Sequence, residues 1–455
     1  MTALLYLLGV VVFAVAILAS IGLHELGHMI PAKAFGGKVT QYFIGFGPTV
    51  WSKQVGETEY GVKAIPLGGY VKIVGMLPPG AEQLADEAGV DEHGNQVLKV
   101  RKSNTGMFTQ LISDARAAEW ELVRPEDTDR LFYKMAWWKK VIVMGGGPMV
   151  NIAIAFLIFA GVFATYGNPS DQKSELTISE VQGCVIPVDE NGRTCTEDEI
   201  ATSPTPAYAA GLQKGDRFVS FNGTTITTWE QLQKLIRSND DGEATIVVER
   251  GGEQLTLATR TKVEPRFLEA EDREKKKTTE VGFLGVSPVT HPTTGGVFYT
   301  AGQMGHMTVE VVKSLATLPV KVWDVAKAIV GVEKRDPAGP VSIVGGGRLA
   351  GETASHDEIS SRDKVLSLLM LVAGFNFFIG MLNLVPLLPL DGGHIASALW
   401  EAVRRGRARL FRRPDPGYVD AAKLLPIAYV VASALLVMGL VLIVADIVVP
   451  VHLES

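Results

Sequence analysis

The stretch "TALLYLLGVVVFAVAILASIGLHELGHMI" (residues 2–30) holds no charged side chain before Glu25. A helix needs ~20 apolar residues to cross a bilayer. A secretory signal would carry a positive n-region and a small-residue cleavage site, and this run has neither. It reads as a retained first span, residues 1–30. Its end carries a His-Glu-x-x-His pentad. On a helix, His24 and His28 are i and i+4, so both rings lie on one face and can grip one ion. Glu25 sits within reach of a water at that ion without itself being a ligand. Ionisable groups inside a span are costly and are functional candidates by default. The competing reading is a polar cluster with no ligand.

The whole chain agrees with a membrane class. Of its 455 residues, 47% are hydrophobic and 20% charged,. A net charge of −6 gives no basic footprint for nucleic acid,. Three more stretches, 141–166, 365–390 and 424–446, are long and apolar enough to span. Lys139 and Lys140 directly precede the second, and "RRGRARLFRR" (404–413) precedes the fourth. The positive-inside rule puts 31–140 and the basic loop 391–423 in the cytoplasm. Both termini, including the tail 447–455, and the long segment 167–364 then lie outside. This parity brings the pentad and Asp391 to the same face of the membrane. Asp391 is the one carboxylate between Val365 and Trp400. It is the expected third metal ligand, because a carboxylate completes many catalytic zinc sites. His394 is a rival donor, and a helix end before a Gly-Gly turn is the bland reading of Asp391. Pro386 and Pro389 should break or kink the third span.

Residues 31–75 alternate β-branched and aromatic residues with Gly and Pro, the pattern of hairpin strands. Their apolar character suits a β-hairpin resting against membrane helices. Residues 76–140 read as a cytoplasmic insertion, helical around 106–116. The external unit, 174–290, reads as α+β: a strand over 175–181, a short helix, a strand and an Asn-Gly turn within 204–223, and a helix from about Thr228. A hairpin over 244–260 follows, then a charged linker over 269–280 and a strand over 281–288. Residues 291–364 hold an amphipathic segment suited to a membrane surface or a protein groove. Cys184 and Cys195 both fall in the segment assigned to the oxidising side, so a disulfide is expected; two buried thiols are the alternative.

"HELGH" in a first span, "GGGPMVN" (145–151) opening a second, and "NLVPLLPLDGGH" (383–394) closing a third resemble the site-2 protease family of intramembrane zinc metalloproteases. The resemblance is to the bacterial type with one extracytoplasmic PDZ-like domain, and it covers nearly the whole chain. It implies a polytopic α-helical membrane protein with four transmembrane helices, a membrane-associated β-hairpin region and an extracytoplasmic α+β PDZ-like domain. It implies one Zn2+ held by His24, His28 and Asp391, with Glu25 as general acid/base. It also implies substrate contacts at Gly45, Phe46, Gly47, Asn151 and Asn383. The expected partners are the lipid bilayer and single-span membrane proteins, such as anti-sigma factors or remnant signal peptides, already shortened by an upstream protease. The location implied is a bacterial cell membrane. The chain departs from the family in the insertion from Gly183 to Thr202, which holds both cysteines, and in Leu388, where some relatives have proline. A non-catalytic PDZ scaffold is the rival function. A metal transporter would need ligands in the second and fourth spans, which hold no His, Cys, Asp or Glu before Asp446.

Overall fold

The computed structural model describes residues 2–78, 88–90, 96–98, 107–120, 123, 125–187, 194–268 and 277–452. Residues 79–87, 91–95, 99–106, 121–122 and 124 of the insertion expected over 76–140, the middle of the Gly183–Thr202 insertion, and residues 269–276 of the linker expected over 269–280 lie outside them. The chain divides into two compact units, Met1–Val162 with Gly296–Ser455, and Phe163–Gly295.

In the first unit, α1 (Thr2–Ala34) takes up the charge-free run and continues four residues past its expected end, through Pro31. The hairpin follows as β1 (Val39–Val55) and β2 (Thr58–Ile73), joined by Gly56 and Glu57. Its register is irregular. Thr49 to Val55 pair with Lys63 to Thr58, whereas Val39 to Ile44 pair with Ile73 to Gly69. Gln41 to Ile44 also face Glu59 to Val62, so they are flanked on both sides. Among the described residues, the stretch Gly69–Ile73 has a strand on one side only and forms an edge. Met29, Ala32, Val39, Ile73, Val143 and Met144 share one core that seats the hairpin on the helices. The Tyr42 hydroxyl donates to the Gly22 carbonyl of α1 at 2.8 Å. The far end of the hairpin exposes Val50, Trp51 and Val55. After the short pair β3 (Ala88–Val90) and β4 (Gln96–Leu98) come α2 (Met107–Trp120) and α3 (Trp137–Thr165).

The second unit opens with β5 (Asn168–Val181). Then come α4 (Glu197–Thr202), α5 (Pro206–Ala209), β6 (Arg217–Phe221), β7 (Thr224–Thr225) and α6 (Trp229–Arg237). Thr228 caps α6 by accepting from the Gln231 amide, which explains why the helix starts there,. The hairpin β8 (Glu243–Arg250) and β9 (Glu253–Arg260) turns at Gly251-Gly252. The expected single strand over 281–288 is instead two. β10 (Lys262–Arg266) pairs with β11 (Thr279–Phe283), and β12 (Val286–Thr293) joins β5 in a six-stranded sheet ordered β12-β5-β6-β8-β9, with β7 on β6. The break is at Leu284, which is buried in the core with Ile178, Phe218, Leu232 and Ile246.

Cys184 and Cys195 form a disulfide. Closing this short loop stabilises by roughly 2–3 kcal/mol in the chain-entropy account. Replacing both cysteines with serine should lower the unfolding free energy of this unit by about that amount, read by denaturant melts of the full chain with and without reductant. A second brace is Arg250, whose Nε and Nη2 donate to the two Asp216 oxygens at 2.6 and 2.7 Å. Burial pushes the Asp216 carboxyl up, but Arg250 and the Gln213 amide outweigh it and hold it below the usual range. A lowered folded pKa contributes stability above the unfolded value of about 3.9, and that contribution is lost as pH falls through the folded value. Asp216→Asn should therefore destabilise at neutral pH and flatten the loss of stability below about pH 4, checked by melts across that range.

The first unit resumes with α7 (Val297–Ile329), α8 (Ile343–Ser355), α9 (Ser361–Asn383), α10 (Asp391–Leu410) and α11 (Leu425–Val448). The expected amphipathic segment is α7. The glycine-rich α8 was not expected as a helix; Ala350 on it packs with Phe13 and Ile17 of α1. Asp446 near the end of α11 pairs with Arg335 at 2.8 Å and accepts from the Ser342 amide at 2.6 Å, fixing the start of α8. The third span is shorter than expected. Its helix ends at Asn383, and residues 384–390, with Pro386 and Pro389, are not helical, because proline offers no N–H to continue the ladder,. Gly392-Gly393 is likewise no turn after a helix but the first turn of a new one. Among the described residues, four helical segments are long and apolar enough to cross a membrane: Thr2–Ala34, Trp137–Thr165, Ser361–Asn383 and Ala421–Val448.

Candidate metal centre

Three elements meet at the site. His24, Glu25 and His28 come from the last third of α1. Asp391 is the first residue of α10, and α3 lies against both imidazoles. Leu390 and Gly393 hydrogen-bond to the carbonyls of Leu387 and Leu390 and turn the chain into α10. A side chain at Gly392 would collide with the carbonyls of Leu384 and Val385, so this turn can form only with glycine there.

The donor geometry is compact. His24 Nε2 and His28 Nε2 are 3.2 Å apart. Asp391 Oδ2 lies 3.4 Å from the first and 3.3 Å from the second. Three ligands of a tetrahedral zinc at ~2.0–2.1 Å would be separated by ~3.3–3.4 Å. The triangle therefore fits zinc. His28 Nδ1 is 2.8 Å from the Val143 carbonyl of α3. A carbonyl only accepts, so Nδ1 carries the proton and Nε2 presents a lone pair, the usual outer-shell arrangement for a metal-binding histidine. His24 Nδ1 is buried without a hydrogen-bond partner among the described residues.

Gly147 explains how α3 comes so close. A Cβ there would strike His28 Nε2 and lie 2.8 Å from His24 Nε2. Its neighbour Gly146 abuts the Gly27 carbonyl in the same way. Gly146 and Gly147 are thus a flat bed under the pentad.

A cavity of about 420 Å3 opens over these groups. It is lined by all three donors, Glu25, and the β2 edge from Gly68 to Val71. The Glu25 side chain packs on this edge: a Cβ on Gly69 would lie 3.0 Å from Glu25 Cγ. Of the five residues expected to contact substrate, Asn151 and Asn383 line this cavity. Gly45, Phe46 and Gly47 do not; they sit at the bend of β1, where the Phe46 ring packs on Gly68 and stacks with Tyr70 at 6.3 Å. His394 lines the cavity, but the three-donor cluster found among the described residues is His24, His28 and Asp391. Sequence reasoning missed the Val143 carbonyl, which as a backbone group leaves no trace in residue identity. It also missed the Gly68–Val71 edge, whose signal was the Gly-Gly pair in "PLGGYV" (66–71).

The model for peptidase family M50 matches residues 12–413. The chain is 34% identical to the zinc metalloprotease Rip1 of Mycobacterium tuberculosis over 459 aligned positions, covering 99% of this chain and 100% of that one. Rip1 of Mycolicibacterium smegmatis is also 34% identical, with 97% and 98% covered. The regulator of sigma-W protease RasP of Bacillus subtilis is 25% identical, with 84% and 87% covered. The chain therefore belongs to peptidase family M50, the site-2 proteases, and with that family come metalloendopeptidase activity and a zinc cofactor.

Proposed function

We propose that the chain cuts single-span membrane proteins in or near their membrane segment, with His24, His28 and Asp391 as the zinc ligands and Glu25 as the general acid/base. The observation that carries this reading is the 3.2–3.4 Å donor triangle within the same cavity as Glu25. When bound, zinc acidifies a coordinated water and polarises a carbonyl. Glu25 takes a proton from the attacking water and returns it to the leaving amine. A helical substrate hides its peptide bonds and must unwind before it is cut. The β2 edge at Gly68–Val71 offers replacement backbone hydrogen bonds by strand addition, directly beside Glu25. Asn151 and Asn383 also line the cavity and serve as side-chain contacts to the same segment, while Gly45, Phe46 and Gly47 support the edge from behind.

The substrate class follows the family and one relative's name, which ties RasP to sigma-W. Anti-sigma factors and remnant signal peptides, trimmed first by another protease, fit it. The orientation that suits the basic flanks puts the site toward the cytoplasm and the termini and Phe163–Gly295 unit outside. That unit serves as a PDZ-like size filter. Its end strand β12 carries Pro288 and Pro292, which cannot donate to an added peptide strand, and this favours a filter over a receptor,. The test is cleavage of a single-span substrate in full-length and externally truncated forms, in membranes of matched composition. The truncated form should be cut and the full-length one spared; equal cutting of both would refute the filter, and no cutting of either in the presence of zinc would refute the substrate class.

A further inference from the structure

The Lys140–Glu401 ion pair is buried and lies outside the cavity that holds Glu25. Lys140 Nζ donates to Glu401 Oε2 at 2.7 Å, with the two side chains 8% and 2% exposed. A buried pair of this kind is weak evidence of stability, since desolvation offsets much of the attraction. Its placement is more informative. Lys140, Val143 and Gly147 are spaced i, i+3 and i+7 on α3, so they share one face of that helix. Val143 holds His28, and Gly147 is the bed under both imidazoles. Glu401 lies on α10, the helix that begins with Asp391. His394 on α10 lines both the main cavity and a second one of about 30 Å3 that Lys140 and Glu401 also line, so the two cavities share a wall. Arg405 steadies Glu401 from the other side at 3.3 Å, and the Tyr418 ring lies beneath both cations.

We propose that Lys140 and Glu401 are a positioning pair that fixes α10 against α3, thereby holding Asp391 in register with the two histidines and setting the affinity for zinc. The inference rests on the ligand assignment above. Two helices carry the ligand set and a third buttresses it, and a metal site tolerates errors of only about 0.5 Å. The pair is a directional tie across the helix that brings the carboxylate and the helix that steadies the imidazoles.

The test is zinc titration of the purified full-length protein, stripped of metal, against a chromophoric chelator. Lys140→Met should bind zinc about 10–100-fold more weakly, the range seen when outer-shell partners are lost. Lys140→Met with Glu401→Met removes both charges of the pair, leaves Arg405 its contact with Asp415 at 3.5 Å, and guards against a folding failure; it should unfold at a temperature close to wild type without metal yet still bind zinc at least about 10-fold more weakly. Lys140→Arg keeps the charge and a donor and should restore most of the affinity. Wild-type affinity in the double variant, alongside lost binding in Asp391→Ala, would overturn the positioning role while leaving the ligand set intact. Undiminished zinc binding in Asp391→Ala would overturn the ligand set and the inference together.

Discussion

Glu25→Gln should leave one zinc per chain and reduce cleavage by roughly 10²–10⁴-fold, the span expected for loss of a general acid/base. The substitution is isosteric. Glutamine keeps the same length and volume, so the side chain can stay against Gly69. None of the three donor atoms is touched, because Glu25 is outside the His24, His28 and Asp391 cluster. What is lost is the ability to take up a proton. Zinc quantification beside a cleavage assay separates this from metal loss. Substantial cleavage by Glu25→Gln would remove Glu25 from the mechanism.

Gly147→Ala should be nearly as damaging by a different route. The added methyl would be driven into His28 Nε2 and come within 2.8 Å of His24 Nε2. His28 cannot swing aside without breaking its bond to Val143, and α3 cannot retreat without unseating Gly146 from Gly27. The imidazoles must therefore leave the 3.2–3.4 Å triangle, and zinc affinity and cleavage should both fall by at least about 10-fold. Helix content should be unchanged, since alanine favours a helix over glycine by about 1 kcal/mol. Gly145→Ala is the matched control, because its methyl would meet only Ile395 at 3.9 Å. Circular dichroism with zinc content checks both; normal zinc binding by Gly147→Ala would show that the bed is not as tight as its contacts indicate.

The long apolar helices and the clustering of His24, His28 and Asp391 were legible because each rests on strong local chemistry: long apolar runs, two imidazoles at helical spacing, and a lone carboxylate in an apolar stretch. The limits lay where tertiary contacts decide. The two prolines marked a break near 386–389, but not that the helix stops at Asn383 or that Asp391 opens a new one. That outcome depends on Gly392 seating against the preceding loop. α8 is too short and too rich in glycine to show as a helix until its small residues meet α1. The hairpin was visible from its alternation, whereas the edge beside Glu25 comes from an irregular register that no residue pattern announces. The Lys140–Glu401 pair joins positions 261 residues apart, and each alone reads as an ordinary charge near a membrane surface.

The most direct test of the metal centre is X-ray absorption at the zinc edge on the purified chain, wild type beside Asp391→Ala. The wild type should show a shell of two imidazoles and carboxylate oxygen at ~2.0–2.1 Å, lost or disordered in the variant. A shell of three imidazoles, or one that Asp391→Ala leaves unchanged, would contradict it and turn attention to His394.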